Sequence, residues 1–140
     1  MATFTIEVTS RSLAESLARI NRLDSRSQLR AESHLDAMMF KLHRLSVQSA
    51  PVRTGFHKTH IRFGRFGRYG RQVHAAAPYA AFINLGTGRQ GAASGVPSVP
   101  GYSYGATLGQ RANPHMLRAW DTVRPELLQR LSRTIREGAR

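Results

Sequence analysis

Residues 56–75 read Phe56-His57-Lys58-Thr59-His60-Ile61-Arg62-Phe63-Gly64-Arg65-Phe66-Gly67-Arg68-Tyr69-Gly70-Arg71-Gln72-Val73-His74-Ala75. Strand-forming side chains flank a Gly-Arg-Tyr-Gly turn, which predicts a β-hairpin over about 58–66 and 70–77. On its N-terminal side Leu35, Met38, Met39, Leu42 and Leu45 recur at three- and four-residue spacing and predict a helix over about 27–48. Met38 and Met39 are read as core filling, because methionine adapts to irregular packing. On the other side Pro114 opens a long helix, with Asn113 as its expected N-cap. The apolar face of that helix is Met116, Leu117, Trp120, Val123, Leu127, Leu131 and Ile135, and Pro125 is expected to kink or split it. A hairpin between two long helices defines an α+β domain: a small antiparallel sheet packed on long N-terminal and C-terminal helices, with one long Gly-rich loop.

Further out the signals are shorter. Residues 3–9 alternate, with Phe4, Ile6 and Val8 on one face, as a half-buried strand does. Ser12 and Glu15 have capping-box spacing, and Leu13, Leu17, Ile20 and Leu23 follow as a helical stripe. Asp24-Ser25 is read as a break before the next helix. Pro51 ends that helix, since the residue before a proline is pushed out of the α region. The apolar run from Pro78 to Leu85 fits a strand or a short helix, and periodicity does not decide. Residues 86–113 hold seven glycines and two prolines without a sustained period. A loop of that length is uncommon in a compact monomer. Because it carries Tyr102, Tyr104 and Leu108, it is expected to be ordered by contacts with neighbouring subunits.

The chain has 140 residues, which suits one domain over 1–140. No run reaches the roughly 18 apolar residues of a membrane span. The first seven residues have no basic region followed by an apolar core, so no secretory signal is expected. There is no cysteine, which excludes disulfides, thiolate metal sites and a Cys nucleophile, and fits a cytoplasmic origin. Lysine and arginine number 21 against eight acids, for a net charge of +13. Every acid lies in the flanks (Glu7, Glu15, Asp24, Glu32, Asp36, then Asp121, Glu126, Glu137), and residues 37–120 carry eleven of the thirteen net charges. That balance favours an acidic or polyanionic partner. It also leaves little for paired-carboxylate chemistry or a carboxylate-held Mg²⁺, so no enzyme is expected.

His57-x-x-His60 is the leading metal candidate, but with no acid or cysteine nearby a metal site is not expected, and no cofactor is. No Gly-x-Ser-x-Gly nucleophile motif occurs, and catalytic residues are not expected. Gly86-Thr87-Gly88-Arg89-Gln90-Gly91 superficially resembles a phosphate loop, yet it lacks Gly-Lys-Ser/Thr and no helix is expected after it. Arg62, Arg65, Arg68 and Arg71 alternate with Phe63, Phe66 and Tyr69 at a period of three. They are candidate contacts for DNA or an acidic partner. That period matches neither strand nor helix, so the four are not expected to share one face.

Ala50-Pro51-Val52-Arg53-Thr54-Gly55 resembles a motif of the neck and tail-completion family of long-tailed phages, where it follows a helix and precedes a hairpin. Tyr79-Ala80-Ala81-Phe82-Ile83-Asn84-Leu85-Gly86-Thr87 resembles that family's second block. Pro114-His115-Met116-Leu117-Arg118-Ala119 resembles its third, which opens the C-terminal helix. The three blocks span residues 50–119 in family order, with Asn84 where the family usually has Glu and His115 where it usually has Phe. The resemblance implies a structural virion protein of the neck or tail that connects head to tail, or completes the tail, as a six- or twelve-fold ring. Its partners would be copies of itself, other neck and tail proteins and, non-specifically, DNA in the channel; no membrane or small-molecule substrate is implied. The motif and interface residues carried over are Pro51, Thr54, Gly55, Tyr79, Phe82, Asn84, Gly86, Thr87, Pro114, Met116 and Leu117. Asn84 puts an inter-subunit salt bridge in question, and His115 does the same for an aromatic plug, with Met116 or Trp120 as substitutes. On this reading Gly86→Val leaves a folded subunit that cannot assemble. The alternative is a nucleic-acid-binding module using the Arg/aromatic hairpin, with affinity that falls steeply with salt.

Overall fold

The computed structural model describes residues 4–7, 11–51, 55–96 and 102–139. Strand β1 is Phe4–Glu7, so Val8 of the predicted strand lies outside the described residues. Helix α1, Arg11–Ile20, buries Leu13, Leu17 and Ile20 on one stripe. It starts at Arg11, so Ser12 sits inside the first turn and not at the cap. The break falls where expected: Asp24 is extended, and its Oδ1 accepts the Ser27 N–H at 3.2 Å. Hydrogen bonding by the Ser27 side chain, and then by its backbone N–H, holds the Asp24 carboxyl below its ordinary value.

Helix α2 then runs Ser25–Ser49, about 37 Å at 1.5 Å per residue. It buries Ala31, Leu35, Met38, Met39 and Leu42. It ends as Ala50, facing Pro51, turns to ψ 136°. Against it lies the C-terminal helix, His115–Gly138, which buries Met116, Ala119, Val123, Leu127, Leu131 and Thr134. The two share the largest interface in the fold. They run antiparallel, as Arg30 reaches Glu137 and Lys41 reaches Glu126, each at 2.6 Å. Gly138 lets the ends close: a Cβ there would lie 2.6 Å from the Ser27 hydroxyl. Of the kink or split expected at Pro125, the split does not occur, since the helix runs continuously through it. Pro125 and Asp121 are both exposed, so water can satisfy the carbonyl that loses its amide partner. Asn113 is not the cap either. Pro114 occupies that position, and the Asn113 side chain accepts from Arg118 instead.

The hairpin is shorter at its base than predicted. Strands β2 (Ile61–Phe66) and β3 (Gly70–Ala75) pair antiparallel, and β1 adds on the far side of β3, giving the order β1-β3-β2. The register sets Phe4 and Ile61 opposite Ala75, and Ile6 and Phe63 opposite Val73. Phe4, Ile6, Ile61, Val73 and Ala75 are buried, while Thr5, Arg62 and His74 belong to the opposite face. Residues 58 and 59, read as the start of the first strand, belong instead to one helical turn, α3 (Phe56–Thr59). Gly55 enters it at φ +78°, and Thr59 Oγ1 closes it by donating to the Gly55 carbonyl at 3.0 Å.

The segment left open between strand and helix is helix α4, Ala80–Leu85. Beyond it Gly86 turns at φ +79°, where a Cβ would lie 2.7 Å from backbone atoms of Gln110 and Ala112. A single turn, α5 (Gly88–Ala92), forms within the glycine run itself, and residues 93–96 after it are not helical. Its N–H groups are already occupied: Gly88, Arg89 and Gln90 donate to the carbonyls of Tyr104, Thr107 and Leu108. A phosphate therefore finds no free amides there. The described part of the long loop is thus tied to itself, with Thr87 and Gln110 exchanging both backbone hydrogen bonds. The C-terminal helix, α6, completes the chain's six described helices. Among the described residues no helix is long and apolar enough to cross a membrane.

Candidate docking cleft

The end of α2, the α3 turn, α4 and the residues leading into α6 surround one cleft of about 820 Å³. Pro51 and Gly55 come from the first motif block, Tyr79, Phe82, Ile83 and Thr87 from the second. Asn113 stands just before the third, and Gln110 and Arg111 come from the loop. Segments far apart in sequence therefore converge in space. Thr54 lies outside the described residues.

His57 lines this cleft although it is only 3% exposed. Its Nε2 is 2.9 Å from Nε2 of His115, with the rings edge-to-face. His115 is fully buried, and its Nδ1 lies 3.1 Å from the Ser46 carbonyl. Burial, reinforced by His57, pushes the His115 pKa down to about 4, and burial also lowers that of His57. Both rings are therefore neutral near pH 7. His57 Nδ1 has no hydrogen-bond partner among the described residues. Above these rings Tyr79 and Phe82 remain more than a third exposed. Phe56 stacks on His60 at 3.9 Å beside them.

The remaining motif residues hold the frame. Asn84 is fully buried and not on an outer surface. Its amide donates to the Ala80 carbonyl at 3.0 Å, and its Oδ1 accepts the Met116 N–H, tying α4 to the first turn of α6. No subunit contact passes through a buried Asn84. Met116 is fully buried and Leu117 partly so. The aromatic position in the third block is filled by His115 itself. Gly86 makes the turn described above, and its carbonyl accepts the Tyr102 hydroxyl.

The four hairpin arginines do not form one cationic surface. Arg71, 3% exposed, reaches Asp36 of α2 at 2.7 Å and also donates to the Arg68 and Gly70 carbonyls. Arg65 takes the other Asp36 oxygen at 3.0 Å, and Arg68 binds Glu32 and Gln28. Arg62 alone of the four has no ion pair among the described residues. Two acids of α2, Glu32 and Asp36, thus engage three of the eleven basic groups in the acid-free middle of the sequence.

His57 and His60 do not converge, since His60 Nδ1 bonds the Phe56 carbonyl at 2.7 Å while His57 turns to His115. Among the described residues no three His, Asp or Glu side chains gather as a metal site. Among the described residues no carboxylate lines the cleft. Spacing drew attention to His57 and the departure from the family pattern to His115, but nothing local could pair rings 58 positions apart. No local signal marked Gln110 or Arg111. Comparison of the chain with protein-family models, curated proteins and solved structures found no match.

Proposed function

We propose that the chain is a structural subunit of the neck or tail of a long-tailed phage virion, connecting head to tail or completing the tail as a ring. It works by assembly and not by catalysis. The observation that carries this reading is the meeting of the first two motif blocks around one cleft, with His115 of the third packed behind its His57 wall.

The distribution of exposed apolar side chains supports it too. Phe56, Tyr79 and Phe82 lie at the cleft, while Leu29, Phe40 and Phe66 lie along α2 and the hairpin. Leu29 and the cleft are at opposite ends of α2, about 30 Å apart along its axis. Two unlike patches suit the head-to-tail contact from which closed rings are built. A six- or twelve-fold ring would set these patches against other subunits, with Arg62 left for DNA in the channel.

Deleting the reading frame from its parent genome and imaging the lysate tests this. DNA-filled heads beside detached tails are expected, and empty heads would place the step at head closure. Normal infectious virions would overturn the reading.

A further inference from the structure

A residue of the cleft wall buries an atom that the described residues leave without a partner, and the hydrogen bonds behind it define its chemistry. A carbonyl only accepts, so the 3.1 Å contact with Ser46 puts a proton on His115 Nδ1. In the neutral ring His115 Nε2 is then a bare acceptor. The 2.9 Å contact between the rings requires a donor, which must be the Nε2–H of His57. Neutral His57 is left with a bare Nδ1, buried and unpartnered among the described residues. An unmatched buried acceptor is unfavourable by roughly 1–3 kcal/mol, which an arriving N–H or O–H would relieve.

The surroundings narrow the donor further. Tyr79 and Phe82 offer two partly exposed rings, and among the described residues no carboxylate lines the walls to repel an anion. Arg111 is exposed, and among the described residues it has no ion pair and is the single lysine or arginine lining the cleft. A nucleic-acid strand would call for a cation at each phosphate, and Arg65, Arg68 and Arg71 are committed to α2. One cation, aromatic walls and one acceptor match a short segment of polypeptide.

We propose that this cleft docks an acidic segment of a partner protein. The segment's aromatic side chain lies against Tyr79 and Phe82, a carboxylate pairs with Arg111, and an N–H is donated to His57 Nδ1 as the buried ring tilts towards the cleft. The inference rests on the assembly reading above and names the chemistry of the partner that reading requires.

The test uses the full chain and the N-acetylated, C-amidated peptide Glu-Trp-Asp-Glu, followed by NMR of backbone amides and histidine ring nitrogens. Saturable shifts at Tyr79, Phe82 and His57 Nδ1 are expected, with a Kd of about 1 mM or tighter. Phe82→Ala weakens binding about tenfold. Arg111→Gln weakens it about threefold and removes the preference over the neutral peptide Gln-Trp-Asn-Gln. Both substitutions are on exposed side chains, so folding is not at issue. Absence of saturable shifts, shifts indifferent to both variants, or shifts at these residues from a twelve-nucleotide oligo-dT but not from the peptide would each overturn the proposal. Detached tails on gene deletion together with no peptide binding would overturn the cleft and leave the neck reading standing. Peptide binding with normal virions would do the reverse.

Discussion

The two ends of α2 are built on opposite principles. Towards its N-terminal half, Glu32 and Asp36 engage Arg65, Arg68 and Arg71 of the hairpin, and Arg71 gains two backbone carbonyls as well. At its C-terminal end the cleft has an imidazole nitrogen unmatched among the described residues, exposed rings and a cation without a described counter-charge. One end pairs its arginines, leaving the Tyr69 hydroxyl as its unmatched group among the described residues; the other leaves a charge and a ring nitrogen unmatched. A protein with +13 net charge can therefore be far less adhesive at its Arg-rich hairpin than its composition suggests. The opening for a partner lies instead where side chains remain unmatched.

The sharpest way to break this contrast is at Asp36. Asp36→Ala strands the buried Arg71 guanidinium and should lower stability by about 4 kcal/mol in urea unfolding. A loss under about 1 kcal/mol would mean that Arg71 hydrates easily and that the hairpin end is no more closed than the cleft.

The histidine pair comes next. An unfolded histidine takes up a proton near pH 6.5, whereas native His115 resists it until about 4. The unfolded state thus binds more protons in that window. The stability from this group is complete above about 6.5 and is lost as pH falls towards 4, by roughly 3 kcal/mol. Unfolding free energies for the wild type and His115→Leu at pH 7 and pH 4 check it. The difference between them should shrink on acidification, and a constant difference would refute the buried neutral ring.

Gly86→Val is expected to cost about 2 kcal/mol, through its φ of +79° and the backbone 2.7 Å away. Faster hydrogen exchange at Thr87, Arg89 and Gln90 would locate the damage in the loop. The substitution therefore alters the subunit itself, and any failure to assemble follows from that. The smallest effect belongs to Phe82→Ala, below about 0.5 kcal/mol because its ring is 40% exposed. A large loss of stability there would show that the ring serves the core and not a partner.

Much of this fold was legible because its signals are local. The stripes of α2 and α6, the break at Asp24 and the Gly-Arg-Tyr-Gly turn each depend on neighbours within a few residues. Pro125 misled because its effect depends on whether the freed carbonyl meets water, which periodicity does not record. Lys58 and Thr59 misled because Gly55 and Thr59 close a helical turn where the strand was expected to begin. The candidate site was legible only as three separate blocks. Its floor joins residues 58 positions apart, and the pairing of the arginines depends on which face of α2 meets the hairpin.

The antiparallel contact of α2 with α6 has a consequence for how the chain is made. Lys41 and Glu126 are 85 residues apart, and Arg30 and Glu137 are 107 apart. During synthesis α2 emerges long before the surface that covers it. At ordinary translation speeds the stripe of Leu35, Met38, Met39 and Leu42 then waits on the order of ten seconds. Through that interval the nascent chain presents an uncovered greasy helix to chaperones and to other unfinished copies on the same message. Productive folding is gated by the arrival of its last helix.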